Sequence, residues 1–101
     1  MRLVRTFRVD PGHPALEGHF PGRPILPGVV LLDEVLAAIE ANLGLAPPVR
    51  LGRVKFLSPA SPGEEVAILL GEAALGSVSF ACMAGERRIL AGTATFAAVA
   101  A

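Results

Sequence analysis

The longest run of mainly apolar residues in the chain covers 28–43, GVVLLDEVLAAIEANL. Its apolar positions extend nearly all the way round a helix, a pattern typical of a buried helix. Pro27 stands just before the run and Gly44 just after it, and these residue types are preferred at helix starts and ends. The sequence therefore predicts a buried helix over 28–43, whose apolar surface is interrupted by Asp33 and Glu34.

Five other segments have the character of strands, at 3–9, 51–57, 64–74, 77–84 and 88–98. In 51–57, Val54 and Phe56 share one face, and Arg53 and Lys55 share the other. In the last run Leu90, Ala94 and Phe96 are predicted to face inwards, with Thr93 and Thr95 outwards. Short connections at Leu75-Gly76 and Ala84-Gly85-Glu86 indicate an antiparallel meander.

A long irregular loop is predicted between the first strand and the helix. Residues 10–28 hold five of the nine prolines and four of the eleven glycines, a density that neither a helix nor a central strand tolerates. The loop also carries both histidines and several apolar residues, so we expect it to be ordered and functional.

These elements predict one α+β domain over residues 1–101, an antiparallel sheet wrapped around one buried central helix. The chain is 52% hydrophobic, more than a lone domain of this size needs, which favours a second copy as partner. The formal net charge of zero argues against nucleic acid as a partner. With no apolar run long enough to span a membrane and no signal-like start, we expect a cytoplasmic protein. The lone Cys82 is expected in the core, outside any disulfide or metal site.

Three residues could carry chemistry. His19 is bracketed by glycine and proline, which can hold an imidazole in one pose for acid/base catalysis, although a histidine that only plugs the loop fits equally. A buried carboxylate in an apolar helix needs a partner, and burial favours the protonated form of a general acid. The alternative is a carboxylate that faces solvent at a gap in the packing. The pattern does not choose between Asp33 and Glu34, which point about 100° apart. The N–H of Gly28 could bind a carbonyl oxygen at the helix start, or simply begin the helix. His13 is interpreted as structural.

The stretch from His13 to Val29, HPALEGHFPGRPILPGV, resembles the signature of 3-hydroxyacyl-[acyl-carrier-protein] dehydratases, enzymes with the hot-dog fold. That signature reads G-H-F-P-G-x-P, an apolar pair, P-G-V and then a helix with an acidic residue. A second, weaker match covers Val54 to Pro59 with Ser61-Pro62-Gly63-Glu64, where the family has a phenylalanine–lysine strand followed by P-G-D.

The resemblance implies a site as well as a reaction. The catalytic histidine of the family lands on His19, the acid on Asp33 rather than Glu34, and the glycine that polarises the thioester carbonyl on Gly28. The substrate site would be lined by Phe20, Pro21, Gly22, Pro27 and Val29. The implied activity is elimination of water from a 3-hydroxyacyl thioester carried by acyl carrier protein, without cofactor or metal. The implied assembly is a homodimer in which His19 of one chain meets Asp33 of the other.

The chain also departs from the family pattern. It is shorter than most members, and Glu34 and Ala37 stand where the family usually has alanine and often glutamine. These differences concern the shape of the tunnel that holds the acyl chain more than the reaction. They also make the chain more similar to a short subgroup of the family that serves specialised lipids such as aryl polyenes. The alternatives are a thioester hydrolase on the same fold and a non-catalytic acyl-binding subunit.

Overall fold

The computed structural model describes residues 1–12, 25–44 and 49–96 of the chain. One helix and five strands follow one another in the described part: β1 (Arg2–Phe7), α1 (Gly28–Leu43), β2 (Val49–Phe56), β3 (Val66–Leu70), β4 (Ser77–Ala84) and β5 (Arg87–Phe96). The predicted bounds of α1 and β4 are confirmed. The predicted loop lies largely outside the described residues.

The five strands form one antiparallel sheet in the order β1-β3-β4-β5-β2. The predicted meander is confirmed as β3-β4-β5, and β1 and β2 add to its two edges. Val54 pairs with Gly92 and Phe56 with Leu90, so the two β2 residues share a face as predicted. Because Leu90 is fully buried, that face is the one turned towards the core.

The strand predicted over 64–74 is too long at both ends, since β3 covers only Val66–Leu70. Before the strand, Glu64 accepts a hydrogen bond from the Ser61 N–H at 2.9 Å and therefore closes a local turn. After it, the chain approaches the β3–β4 turn, where Leu75 and Gly76 have φ of 54° and 75°. Two consecutive positive φ values are typical of a type I′ hairpin turn, which glycine adopts freely and leucine does not.

The core lies between one face of the sheet and one face of α1. The helix contributes Leu31, Val35, Ala38 and Ile39, which pack with Phe80 and other side chains of the sheet. Cys82 is in this core as predicted, and burial raises the pKa of its thiol to about 12.

The expectation that α1 is buried all round is wrong for the single chain. A five-stranded sheet covers only one side of a helix, and Val29 near the start of α1 keeps 63% of its surface exposed. Ala37 and Ala41, further along, are also exposed. Within the described ranges, no helix is long and apolar enough to cross a membrane.

The positive φ of Leu75 gives a prediction about stability. Leu75 is fully exposed, so its side chain offers no packing to offset the unfavourable backbone conformation. We expect Leu75→Asn to raise the free energy of unfolding by about 0.5–1 kcal/mol, because asparagine tolerates this conformation in a type I′ turn. The measurement is urea unfolding followed by circular dichroism.

The matched control is Ala73→Asn, two residues earlier. Ala73 is also exposed but is not among the residues with positive φ. Its replacement should change the free energy of unfolding by less than about 0.5 kcal/mol. Equal effects of the two substitutions would show that the turn conformation is not what limits stability.

Candidate active site

The helix starts at a point fixed by the segment that follows β2. Leu26 is buried, and its N–H donates a hydrogen bond of 2.8 Å to the carbonyl oxygen of Ala60. Pro27 then occupies the N-cap position with φ −60° and ψ 140°, and no side chain caps the helix. The first N–H groups of α1 therefore lack a side-chain cap, which leaves the positive end of the helix dipole available to an oxygen atom.

Gly28, the first helical residue, lies against the ring of Phe56 at the end of β2. A Cβ atom at Gly28 would lie 2.7 Å from Cζ and 2.9 Å from Cε1 of that ring. Real Cβ atoms do not approach so closely, so any other residue would displace the ring. Glycine at this position therefore allows an aromatic side chain to cover the start of the helix.

An apolar cleft of about 350 Å³ lies beside the helix start. Its walls come from the residues just before α1, from α1, from the end of β2 and from the residues that follow β2. In that order they are Ile25 and Leu26; Leu31; Phe56; and Leu57, Ser58, Pro59 and Ala60. A cleft of this size and lining suits a short hydrocarbon chain.

The two carboxylates of α1 have different surroundings. Glu34 lies 2.8 Å from Arg5 of β1, between its Oε2 and the arginine Nη2. That oxygen is closed to solvent, and the contact is an ion pair without hydrogen-bond geometry. Asp33 is exposed in the single chain, and its side chain forms no ion pair or hydrogen bond with the described residues. It lies on a stripe with Val29 and Ala37, one turn before and after it, which are exposed too.

A second group of polar side chains, on the solvent-exposed surface, holds the segment that connects β2 to β3. Nη2 of Arg87, at the start of β5, lies 2.8 and 2.9 Å from the two carboxylate oxygens of Glu64. The Ser61 N–H and this arginine hold the pKa of Glu64 below its ordinary value. Glu64 therefore contributes fully to the free energy of unfolding above the ordinary glutamate pKa of about 4.3. This contribution is lost as the pH falls through the lower pKa that Glu64 has in the folded state.

The structure thus brings together part of the predicted site. Gly28, Val29 and Asp33 lie on the first turns of α1 with Pro27 directly before them. His19, Phe20, Pro21 and Gly22 lie outside the described residues, and their roles stay predictions. The sequence did not single out Arg87 as part of this region, and the match from Val54 to Pro59 included Phe56 without indicating its contact with Gly28. The match at Ser61-Pro62-Gly63-Glu64 marked the right segment, but it did not indicate which distant residue binds it.

The chain belongs to the ApeI-like family, described as ApeI dehydratase, whose pattern matches residues 2–94. Among curated relatives, a 3-hydroxyacyl-[acyl-carrier-protein] dehydratase FabZ from Herpetosiphon aurantiacus is 34% identical over 73 residues. That alignment covers 63% of this chain and 51% of the relative. The chain thus spans about half the length of the curated relatives that it matches.

Solved structures are similar over most of the chain. The dehydratase heterocomplex ApeI:P from Xenorhabdus doucetiae matches with a TM-score of 0.73 and 26% identity, over 89% of this chain and 81% of that one. An uncharacterized protein from Erwinia carotovora subsp. atroseptica matches with a TM-score of 0.73 and 28% identity, over 93% and 81% of the two chains. The predicted fold class is confirmed: the chain is a hot-dog domain.

Proposed function

We propose that this chain is a dehydratase that eliminates water from a 3-hydroxyacyl thioester to give a trans-2-enoyl thioester. His19, Asp33 and Gly28 are its catalytic groups, and an acyl carrier protein delivers the substrate. Membership of the ApeI-like family supports the reaction class, as do the names of the curated relatives. The motif around His19 supports the choice of residues.

The observation that carries the proposal is the place of Asp33. It is a carboxylate in an exposed, otherwise apolar stripe that begins at the uncapped start of α1. A structural role would be served by a partner within the chain, as Arg5 serves Glu34, and residues 1–12, 25–44 and 49–96 provide none for the side chain of Asp33. A partner molecule that covers the stripe would remove water from around Asp33 and favour the protonated form that a general acid needs.

In the proposed reaction the Gly28 N–H donates a hydrogen bond to the thioester carbonyl oxygen, which becomes more negative as C2 loses its proton. His19 takes that proton. The C3–O bond then breaks, and Asp33 gives its proton to the departing hydroxyl, directly or through a water molecule, so that water leaves. The apolar cleft beside Phe56 would hold the acyl chain while these groups act on C2 and C3.

A second copy of the chain is the partner we propose for the exposed stripe. Val29, Phe56 and Leu57 keep 63, 57 and 50% of their surface exposed around the helix start. Apolar side chains clustered at a candidate site in this way favour a protein interface. In a homodimer built on this surface, His19 of one protomer would meet Asp33 of its partner.

The carrier protein is proposed from charge. Arg50, Arg53 and Lys55 are exposed on β2, the strand that ends at Phe56 beside the cleft. A positive strip leading to the site would attract an acidic carrier and aid its docking. The phosphopantetheine arm would then carry the thioester to Gly28.

The reaction is tested with purified protein and a 3-hydroxyacyl thioester. Absorbance of the conjugated enoyl thioester should rise with time. Release of free thiol without enoyl product would identify a hydrolase instead, and binding without either product would identify an acyl-binding subunit.

The first prediction concerns the two carboxylates. We expect Asp33→Asn to lower kcat by about 10²–10⁴-fold, the usual loss when a general acid is removed. Glu34→Gln should keep most of the activity, because Glu34 pairs with Arg5 in a partly exposed contact of small energetic value. Both variants are measured in the enoyl absorbance assay. The opposite ranking would mean that Glu34 is the acid.

The second prediction concerns the shared site. When His19→Ala and Asp33→Ala chains reassort at random, about half of the dimers are mixed, and each of those has one intact site of two. Activity should therefore recover to roughly a quarter of wild type, far above either variant alone. Mass spectrometry of the co-refolded sample confirms that the subunits exchanged. Activity that stays at the level of the single variants after exchange would show that the two residues do not form a site across the interface.

The third prediction concerns the start of the helix. Gly28→Ala should displace the Phe56 ring or the helix start and lower kcat by up to about 10²-fold, because a shift of about 1 Å can misplace a catalytic donor. Adding Phe56→Ala should restore part of the loss by making room for the new Cβ. Phe56→Ala alone is the control. If the double variant is no better than Gly28→Ala, the contact with Phe56 is not the cause.

A further inference from the structure

The segment 57–64, between β2 and β3, has two tasks at the candidate site. Four of its residues, from Leu57 to Ala60, line the apolar cleft. The carbonyl oxygen of Ala60 also accepts the hydrogen bond from the Leu26 N–H that fixes the approach to α1. Any movement of this segment would therefore change both the width of the cleft and the position of the Gly28 N–H.

Arg87 holds this segment at three points. Its Nε lies 3.2 Å from Oγ of Ser58, and its Nη2 lies 3.2 Å from the carbonyl oxygen of Pro59. The same Nη2 contacts both carboxylate oxygens of Glu64. Ser58 is fixed in turn, because its hydroxyl donates a hydrogen bond of 2.8 Å to the carbonyl oxygen of Arg88. We call Arg87 and its three partners the Arg87 clamp.

The end of segment 57–64 that leads into β3 is held by contacts that do not involve Arg87. Arg8 donates a hydrogen bond to the Gly63 carbonyl oxygen and pairs with Glu65, and the Gly63 N–H bonds to Val9. These contacts keep the chain in register with β1 whether or not Arg87 is present. At the other end, the N–H groups of Leu57 and Ser58 donate hydrogen bonds to the carbonyl oxygen of Ile89. The part that depends on Arg87 is thus Pro59 and Ala60, between these two anchors, and both residues line the cleft.

We propose that Arg87 is a positioning residue for the reaction, one that sets the width of the acyl cleft and the place of the Gly28 N–H through segment 57–64. This inference rests on the proposed function only in assigning the acyl chain to the cleft. The structural part of the inference uses only contacts in the chain. Arg87 holds the Pro59 carbonyl oxygen, and the neighbouring Ala60 carbonyl oxygen holds the Leu26 N–H before α1.

The clamp is suited to positioning rather than to stability. The side chains of Arg87 and Glu64 are 46 and 31% exposed, and ion pairs this exposed contribute little to the free energy of unfolding. A planar guanidinium that contacts a hydroxyl, a carbonyl and a carboxylate nevertheless fixes their relative geometry, and a lysine ammonium does not reproduce that fork.

The test compares Arg87→Gln and Arg87→Lys with the matched control Arg88→Gln. Arg88 is the exposed neighbour, and its side chain forms no hydrogen bond or ion pair with the described residues. Substrates are 3-hydroxyacyl thioesters of increasing acyl length. We expect Arg87→Gln to lower kcat/KM by roughly tenfold, mainly through KM for the longer chains, because the cleft wall shifts. Arg87→Lys should recover only part of this loss, and Arg88→Gln should match wild type.

A second measurement does not depend on activity. Amide hydrogen exchange at Leu26 should become roughly tenfold faster in Arg87→Gln than in Arg88→Gln, while the amides of the central strand β4 keep their protection. If Arg87→Gln does not fold, Glu64→Gln replaces it, since that variant keeps the side-chain shape and removes only the charge from the clamp.

The outcomes separate the two proposals. A wild-type protein without dehydratase activity overturns the proposed function, and Leu26 exchange then still decides whether the clamp positions the helix start. An active wild type with Arg87→Gln equal to Arg88→Gln in both kinetics and exchange overturns the inference. Loss of activity that is uniform over acyl length, with loss of β4 protection, also overturns it, because Arg87 would then act on the whole fold.

Discussion

The candidate site depends on the hydrogen bond between the Leu26 N–H and the Ala60 carbonyl oxygen. It joins the approach to α1 to the segment after β2, two parts of the chain that are 34 residues apart. Leu26 is 3% and Ala60 1% exposed, so the bond is shielded from competing water. The position of Pro27 and the direction of the first helical turn follow from it. The bond thereby helps to hold the Gly28 N–H beside the Phe56 ring.

A related constraint is that the sheet covers only one side of the helix. The core is complete on that side, where four helical residues pack against strands whose inward side chains are fully buried. On the other side the chain leaves Val29 and Ala37 exposed around Asp33. This uncovered side leaves the carboxylate of Asp33 available for the proposed site, which a second copy of the chain would complete. In the proposed dimer, assembly and catalysis would therefore use the same surface.

Local patterns predicted the local features well. The bounds of α1 and β4 follow from apolar periodicity and from the flanking proline and glycines, and the β3-β4-β5 meander follows from two short turns. The pairing of β2 with β5 has no local signal, since the two strands are far apart in sequence. The same reason hid the contact of Phe56 with Gly28 and that of Arg87 with Glu64. The motif identified the segments of the site, but not the distant side chains that hold them.

The choice between Asp33 and Glu34 shows how a distant contact completes a local pattern. Neighbouring helical residues point about 100° apart, so only one of the two can face β1. The buried side chains of Leu31, Val35 and Ile39 set the rotation of α1 about its axis, and with that rotation Glu34 reaches Arg5 on the inward face of β1. With that rotation, Asp33 faces away from β1, into the exposed stripe that it shares with Val29 and Ala37. Glu34 thus has a partner within the chain and takes no part in the proposed chemistry, in which Asp33 is the acid.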